Sequence, residues 1–131
     1  MSRILIIDDD EMFLSALNNI LQNEGYTITS TADGPHGIEL YRIQRPDLVL
    51  LDVGLPTMNG IEVLKRIKHI DPNARVIVVT GYASEEWAKR ALQNGAAAFF
   101  EKTLDVNRFS ETVKSILSSK GYSTKRSIER S

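Results

Sequence analysis

The 131-residue chain contains no cysteine and a single tryptophan. Without cysteine there can be no disulfide, no thiolate metal site and no cysteine nucleophile. No apolar run approaches the roughly 20 residues that a membrane-spanning helix requires. No basic segment leads into an apolar N-terminal stretch, so secretion is not expected either. An excess of positive charge is also missing. Lys and Arg number 16 against 17 Asp and Glu, for a net charge of −1 and a pI of about 6.1, so direct nucleic-acid binding is not expected. The chain carries no P-loop, zinc-ligand pattern or hydrolase nucleophile elbow. Together these absences point to a cytoplasmic protein with no membrane partner. The 42% hydrophobic and 25% charged residues suit one globular domain with a sizeable core. It is expected over residues 1–120, with the polar stretch 121–131 as a tail or the start of a linker.

What is present is alternation. "RILIID" reads as a strand, and from Glu11 the residues Phe13, Leu17, Ile20 and Leu21 recur at helical spacing up to a stop at Gly25. "YTITST" is β-branched and reads as a strand. Asp33 can cap a helix carrying Ile38 and Tyr41 that runs out before Pro46. "DLVLLD" and "RVIVVT" read as strands, with a helical stripe through Leu64 and Ile67 between them. Ser84 opens a helix bearing Trp87, Ala88, Ala91 and Leu92, stopped by Gly95. "AAFF" is a short strand, and Asp105 caps a last helix with Val106, Phe109, Val113, Ile116 and Leu117 on one stripe. Five strand–helix repeats predict an α/β fold, a doubly wound parallel sheet covered on both faces. Uninterrupted apolar strands such as "LVLL" and "VIVV" agree, because such strands are buried on both sides.

One feature of this pattern needs a physical reason. Asp8, Asp9, Asp10 and Glu11 follow directly on the apolar run Ile4–Ile7, and crowded carboxylates repel unless a cation sits among them. In an open parallel sheet, ligands bind beyond the C-terminal ends of the strands. Asp8 and Asp9 end the first strand, Asp52 the third and Thr80 the fourth, while Lys102 follows the fifth. Three carboxylates, a hydroxyl and an ammonium thus converge on one rim, a hard-oxygen set that suits Mg²⁺. The bland alternative reads each residue singly: the acids as helix or turn caps, Thr80 as an ordinary strand residue, Lys102 as a solvated surface cation. Asp10 begins a helix, where a carboxylate suits the N-terminal N–H groups. His36 and His69 read as surface residues away from this rim.

The motifs "ILIIDD", "PDLVLLDVGLPTMNG", "VIVVTGYAS" and "NGAAAFFEK", in this order, resemble those of two-component response-regulator receiver domains, and the likeness runs from about residue 3 to 120. The resemblance implies a (βα)₅ flavodoxin-like sheet of order 2-1-3-4-5. It implies that Asp52 is the phosphoacceptor, taking a phosphoryl group from a sensor histidine kinase or phosphotransfer protein. Asp8, Asp9 and Asp52, with the Gly54 backbone carbonyl, would hold Mg²⁺. Thr80 would be the switch hydroxyl, Lys102 the phosphoryl-pairing lysine, and Phe99 the aromatic that swings inward on activation. The implied product is a protein that catalyses only its own phosphorylation and dephosphorylation. It would present a face built from the Trp87 helix, the Phe99 strand and the Phe109 helix to an output protein or domain. A homodimer formed on phosphorylation is a further partner that the resemblance allows.

Two other readings share the fold. A pseudo-receiver would be an interaction module that is never phosphorylated; the intact set Asp8, Asp9, Asp52, Thr80 and Lys102 argues against it. A phosphatase would need a second carboxylate just downstream of Asp52, which is absent. The chain departs from the family pattern at Thr103, where proline usually follows the lysine, at Phe99, often tyrosine, and at Leu55, often methionine. Gly54 and Tyr82 stand where side chains flank the phosphoryl group. These departures bear on phosphoryl lifetime and switch geometry. Because Thr103 is not proline, the Lys102–Thr103 peptide is expected to be trans.

Overall fold

The computed structural model of the protein describes residues 2–56, 58–81, 84–103 and 105–118. Tyr82 and the expected tail at 121–131 lie outside the described residues.

Each predicted strand forms: β1 (Arg3–Ile7), β2 (Thr27–Thr31), β3 (Leu48–Leu51), β4 (Val76–Thr80) and β5 (Ala98–Glu101). The helices α1 (Glu11–Asn23), α2 (Gly34–Gln44), α3 (Gly60–Ile70), α4 (Glu85–Gln93) and α5 (Val106–Ser118) separate and follow them. The strands are all parallel in the order β2-β1-β3-β4-β5. This is the expected doubly wound sheet, with its order reversing between β1 and β3.

Capping follows the sequence closely. Asp10, Asp33 and Ser84 accept from the backbone N–H of Phe13, His36 and Trp87, satisfying donors that the first turns of α1, α2 and α4 leave open. Asp105 does the same for Asn107 and Arg108. Asn59 caps α3 through Ile61 N–H, a role not read from the sequence. Gly25 and Gly95 follow α1 and α4 with φ of 90° and 96°, where a side chain would be strained. The described backbone contains no cis peptide bond, so Lys102–Thr103 is trans as expected.

Strand alternation divides the core in two. Leu5, Ile7, Val49, Leu51, Val76 and Val78 face α2, α3 and α4. Ile4, Ile6, Leu48, Leu50, Ile77 and Val79 face α1 and α5, whose Phe109, Val113 and Ile116 are fully buried. The same alternation separates two neighbours on β5. Phe99 packs with Trp87 on the α2–α4 side, whereas Phe100 meets the Phe109 ring edge-to-face at 5.4 Å on the other. Within the face expected from α4, β5 and α5, the Phe99 and Phe109 side chains therefore serve opposite sides of the sheet.

The register sets the rim. Ile7 pairs with both Thr31 and Leu51, so Asp8 and Asp52 leave the sheet side by side. Asp8 N–H donates to Thr31 O at 3.0 Å and Asp52 N–H to Ile7 O at 2.9 Å, extending the ladder by one residue. The start of α3 closes over this edge. A Cβ on Gly60 would collide with the Val53 Cα and the Asp52 carbonyl. Gly60→Ala should therefore destabilise the protein by about 1–3 kcal/mol through overpacking against backbone that cannot move aside, measurable by urea denaturation. It should also disturb the Asp52 amide resonance.

Candidate functional site

Asp8, Asp9, Asp52, Gly54, Thr80 and Lys102 lie at the C-terminal edge of the sheet, and Phe99 lies within β5. Asp8 and Asp52 are buried, and Asp9 is exposed beside them. One carboxylate oxygen from each of the three lies within 4.8 Å of the others. Thr80 is fully buried at the end of β4, and its carbonyl accepts from Lys102 N–H at 3.0 Å. Gly54 N–H donates to Asp52 Oδ1 at 3.0 Å, which turns the chain back over the carboxylate. Phe99 is half-buried and stands two residues short of Glu101, the β5 partner of Thr80.

Lys102 ties the edge together. Its Nζ donates to Asp8 Oδ1 at 3.0 Å, to Asp52 Oδ2 at 3.2 Å and to Asp10 Oδ2 at 3.3 Å. It also stands 4.9 Å from the centre of the Phe13 ring, within cation–π range. Two buried carboxylates side by side would repel strongly, and the ammonium between them relieves much of that. Burial by itself would lower the Lys102 pKa; the Asp8 hydrogen bond and the charges of Asp8 and Asp52 outweigh it and push the ammonium up.

Asp8 shows what compensation remains incomplete. Burial pushes its pKa from the ordinary 3.8 up to about 6, and the Asp52 charge adds to this. The Asp10 N–H and Lys102 act in the opposite direction. Asp10 is shifted the other way, lowered chiefly by the Phe13 N–H it accepts and further by Lys102.

Asp10 is the residue whose role was only half read. It caps α1 as expected, but it also pairs with Lys102, and Phe13 of the same helical turn adds its ring face. The signal available was the run of acids from Asp8 to Glu11, longer than a pair, with Lys102 delivered to the same rim. His36 and His69 are exposed, as expected. His36 Nδ1 lies 3.0 Å from the Thr31 hydroxyl, near the end of β2 rather than among the carboxylates.

A doubly wound parallel sheet with buried carboxylates at the β1 and β3 ends and a lysine bridging them defines a class of small α/β domains with an acidic pocket at the strand-order switch. The chain belongs to the response regulator receiver domain family, whose model matches residues 4–114. Sporulation initiation phosphotransferase F of Bacillus subtilis (strain 168) is 39% identical over 115 residues, covering 88% of this chain and 93% of that protein. The crystal structure of a CheY-like receiver domain protein from Methanospirillum hungatei JF-1 superposes with a TM-score of 0.85 at 35% identity. The match covers 90% of this chain and 94% of that one. The CheY of a CheX–CheY–BeF₃–Mg²⁺ complex from Borrelia burgdorferi gives a TM-score of 0.82 at 35% identity, covering 88% of each chain. Receiver domains are switch domains of two-component systems that interact with kinases or phosphotransfer proteins and with output partners. No helix among the described residues is long and apolar enough to cross a membrane.

The burial of Asp8 makes a pH-dependent prediction. A folded-state pKa above the ordinary value means that protonation favours the fold. That benefit is full below pH 3.8 and is lost as pH rises through 6, so the ionised carboxylate costs stability at neutral pH. Asp8→Asn retains an acceptor for Asp10 N–H and removes the charge. In chelator-treated protein it should be more stable than wild type at pH 7.5, by about 1–3 kcal/mol. The difference should vanish near pH 4, as read from urea melts at the two pH values.

Proposed function

We propose that Asp52 is the phosphoacceptor of a switch that receives its phosphoryl group from a sensor histidine kinase or a phosphotransfer protein. The observation that carries this reading is the Lys102 ammonium held on Asp52 Oδ2 and Asp8 Oδ1 at the buried ends of β1 and β3. A carboxylate attacks an anionic phosphoryl group only where cations offset the mutual repulsion, so catalysis there is positioning and electrostatics. A lone pair of an Asp52 oxygen forms the O–P bond. The P–N bond of the phosphohistidine breaks, and its electron pair leaves with the imidazole, which is neutral once it has settled its proton with solvent.

The donor set fits Mg²⁺: three carboxylates, two of them buried against each other, with oxygens close enough to share one hard cation. Asp8, Asp9 and Asp52 would hold it, with the Gly54 carbonyl. When bound, the divalent ion neutralises charge on the phosphoryl oxygens. Lys102 supplies the complementary positive charge, and Thr80 brings a hydroxyl to the end of β4. The likeness to a receiver that takes beryllofluoride and Mg²⁺ together supports this assignment. The reading makes the chain a signalling switch located in the cytoplasm that modifies only itself, with an output protein or domain downstream. A homodimer formed on phosphorylation is compatible with it.

A route for the switch follows from the packing. Val78, Thr80, Phe99 and Glu101 fall on matching register positions of β4 and β5, so Thr80 and Phe99 are on one face of the sheet, where Trp87 of α4 also packs. A Thr80 drawn toward a phosphoryl group vacates volume beside Phe99. Phe99 has no hydroxyl whose burial would need a partner. Output therefore runs through Phe99 to the face built from α4, β5 and α5.

Acetyl phosphate with Mg²⁺ should add one phosphoryl group, located at Asp52 by mass spectrometry and absent in Asp52→Asn. Chelator should abolish the reaction. Asp9→Ala should weaken divalent binding at least about tenfold, as expected for loss of one of three carboxylate ligands. Wild-type modification of Asp52→Asn would overturn the assignment. In the beryllofluoride–Mg²⁺ complex, NMR resonances of Trp87, Phe99 and the α5 helix should shift. Shifts confined to the Asp52 rim would rule out this route.

A further inference from the structure

Lys102 has more partners than the proposed phosphoacceptor chemistry requires. An ammonium carries three protons and no acceptor. All three have a carboxylate here: Asp8, Asp52 and Asp10, at 3.0, 3.2 and 3.3 Å. A phosphoryl group arriving on Asp52 needs one of those protons, so one partner must give way.

Burial decides which. The Asp8 and Asp52 side chains are 3% and 5% exposed, so until the O–P bond forms their contacts with Lys102 are exchanged only for another cation, such as the divalent ion proposed above. The Asp10 side chain is 44% exposed, so water can take over its solvation. Asp10 is also held in place from behind. Its Oδ1 accepts Phe13 N–H at 3.1 Å and caps α1, while its Oδ2 reaches Lys102, and the Phe13 ring flanks the ammonium. The first turn of α1 thus offers Lys102 a fixed resting contact on the solvent side of the pocket.

We infer that Asp10 is a positioning residue that occupies the third proton of Lys102 in the unphosphorylated state and competes with the incoming phosphoryl group for it. The inference rests on the phosphoacceptor reading of Asp52. Its consequence is a brake set by one exposed ion pair, whose hold on Lys102 phosphorylation works against.

Asp10→Asn separates the brake from the cap, since asparagine caps helices about as well as aspartate. Glu11→Gln removes the adjacent exposed acid, which forms no ion pair with Lys102 among the described residues, and so controls for general charge. The reaction with acetyl phosphate and Mg²⁺ is followed at subsaturating donor and near-physiological salt. There an Asp52 oxygen forms the O–P bond, and acetate leaves with the electron pair. Asp10→Asn should speed it about two- to fivefold, the range that release of a partly exposed pair supports, with Glu11→Gln unchanged. The Lys102 Cε and Nζ resonances of the unphosphorylated protein should shift in Asp10→Asn and not in Glu11→Gln, a signature that loss of stability alone would not produce. An Asp10→Asn rate at or below wild type, equal acceleration by both variants, or an unmoved Lys102 signal overturns the inference while leaving the phosphoacceptor reading intact. A wild-type protein that takes no phosphoryl group overturns both.

Discussion

The structure turns on one ammonium among carboxylates. Asp8 and Asp52 are placed side by side by the β1–β3 register and are nearly inaccessible to water. Two such charges are tolerable in a folded protein only with a cation between them. Lys102 provides it from the far end of the chain, 94 residues from Asp8. That long-range contact joins β5 to β1 across the edge of the sheet, although the two strands are not neighbours within it. The same contact makes the edge sensitive to added charge, since anything that competes for Lys102 or for the carboxylates alters what holds the three strand ends together.

The rest of the fold holds this edge still. Both faces of the central strands are covered, so β1, β3 and β4 are fixed by core packing rather than by the polar residues at their ends. Backbone approach at Gly60 seats α3 directly on the Asp52 turn. Three helices cover one face and two the other. Thr80 shares its sheet face with Phe99, which packs with Trp87 into the core on the α2–α4 side, while the Phe100–Phe109 contact lies behind the sheet. Burying Asp8 carries a stability cost at neutral pH, expressed in its raised pKa.

Much of this was legible from the chain alone. Periodicity located all ten elements, because apolar alternation and helical stripes are local consequences of burial. Asp10, Asp33, Ser84 and Asp105 were legible as caps, because a cap bonds to N–H groups two or three residues away. The convergence of Asp8, Asp9, Asp52, Thr80 and Lys102 on one edge followed from strand ends in a parallel sheet. Asn59 was missed because its helix begins inside an irregular loop with no apolar pattern to mark the start. The division of Phe99 and Phe100 between the two faces of the sheet was not read, because a short apolar run does not reveal its own phase.

By itself the sequence determined the order of strands and helices, the apolar faces, and the set of polar residues delivered to the sheet edge, since each rests on neighbours within a few positions. Only the tertiary structure decided how those polar residues share their charges. That Lys102 engages Asp10 as well as Asp8 and Asp52, that Phe13 flanks it, and that Phe99 and Phe100 serve opposite faces depend on distances between segments far apart in the chain. Burial, and with it the strength of every charge interaction at the site, exists only once those segments have packed and excluded water.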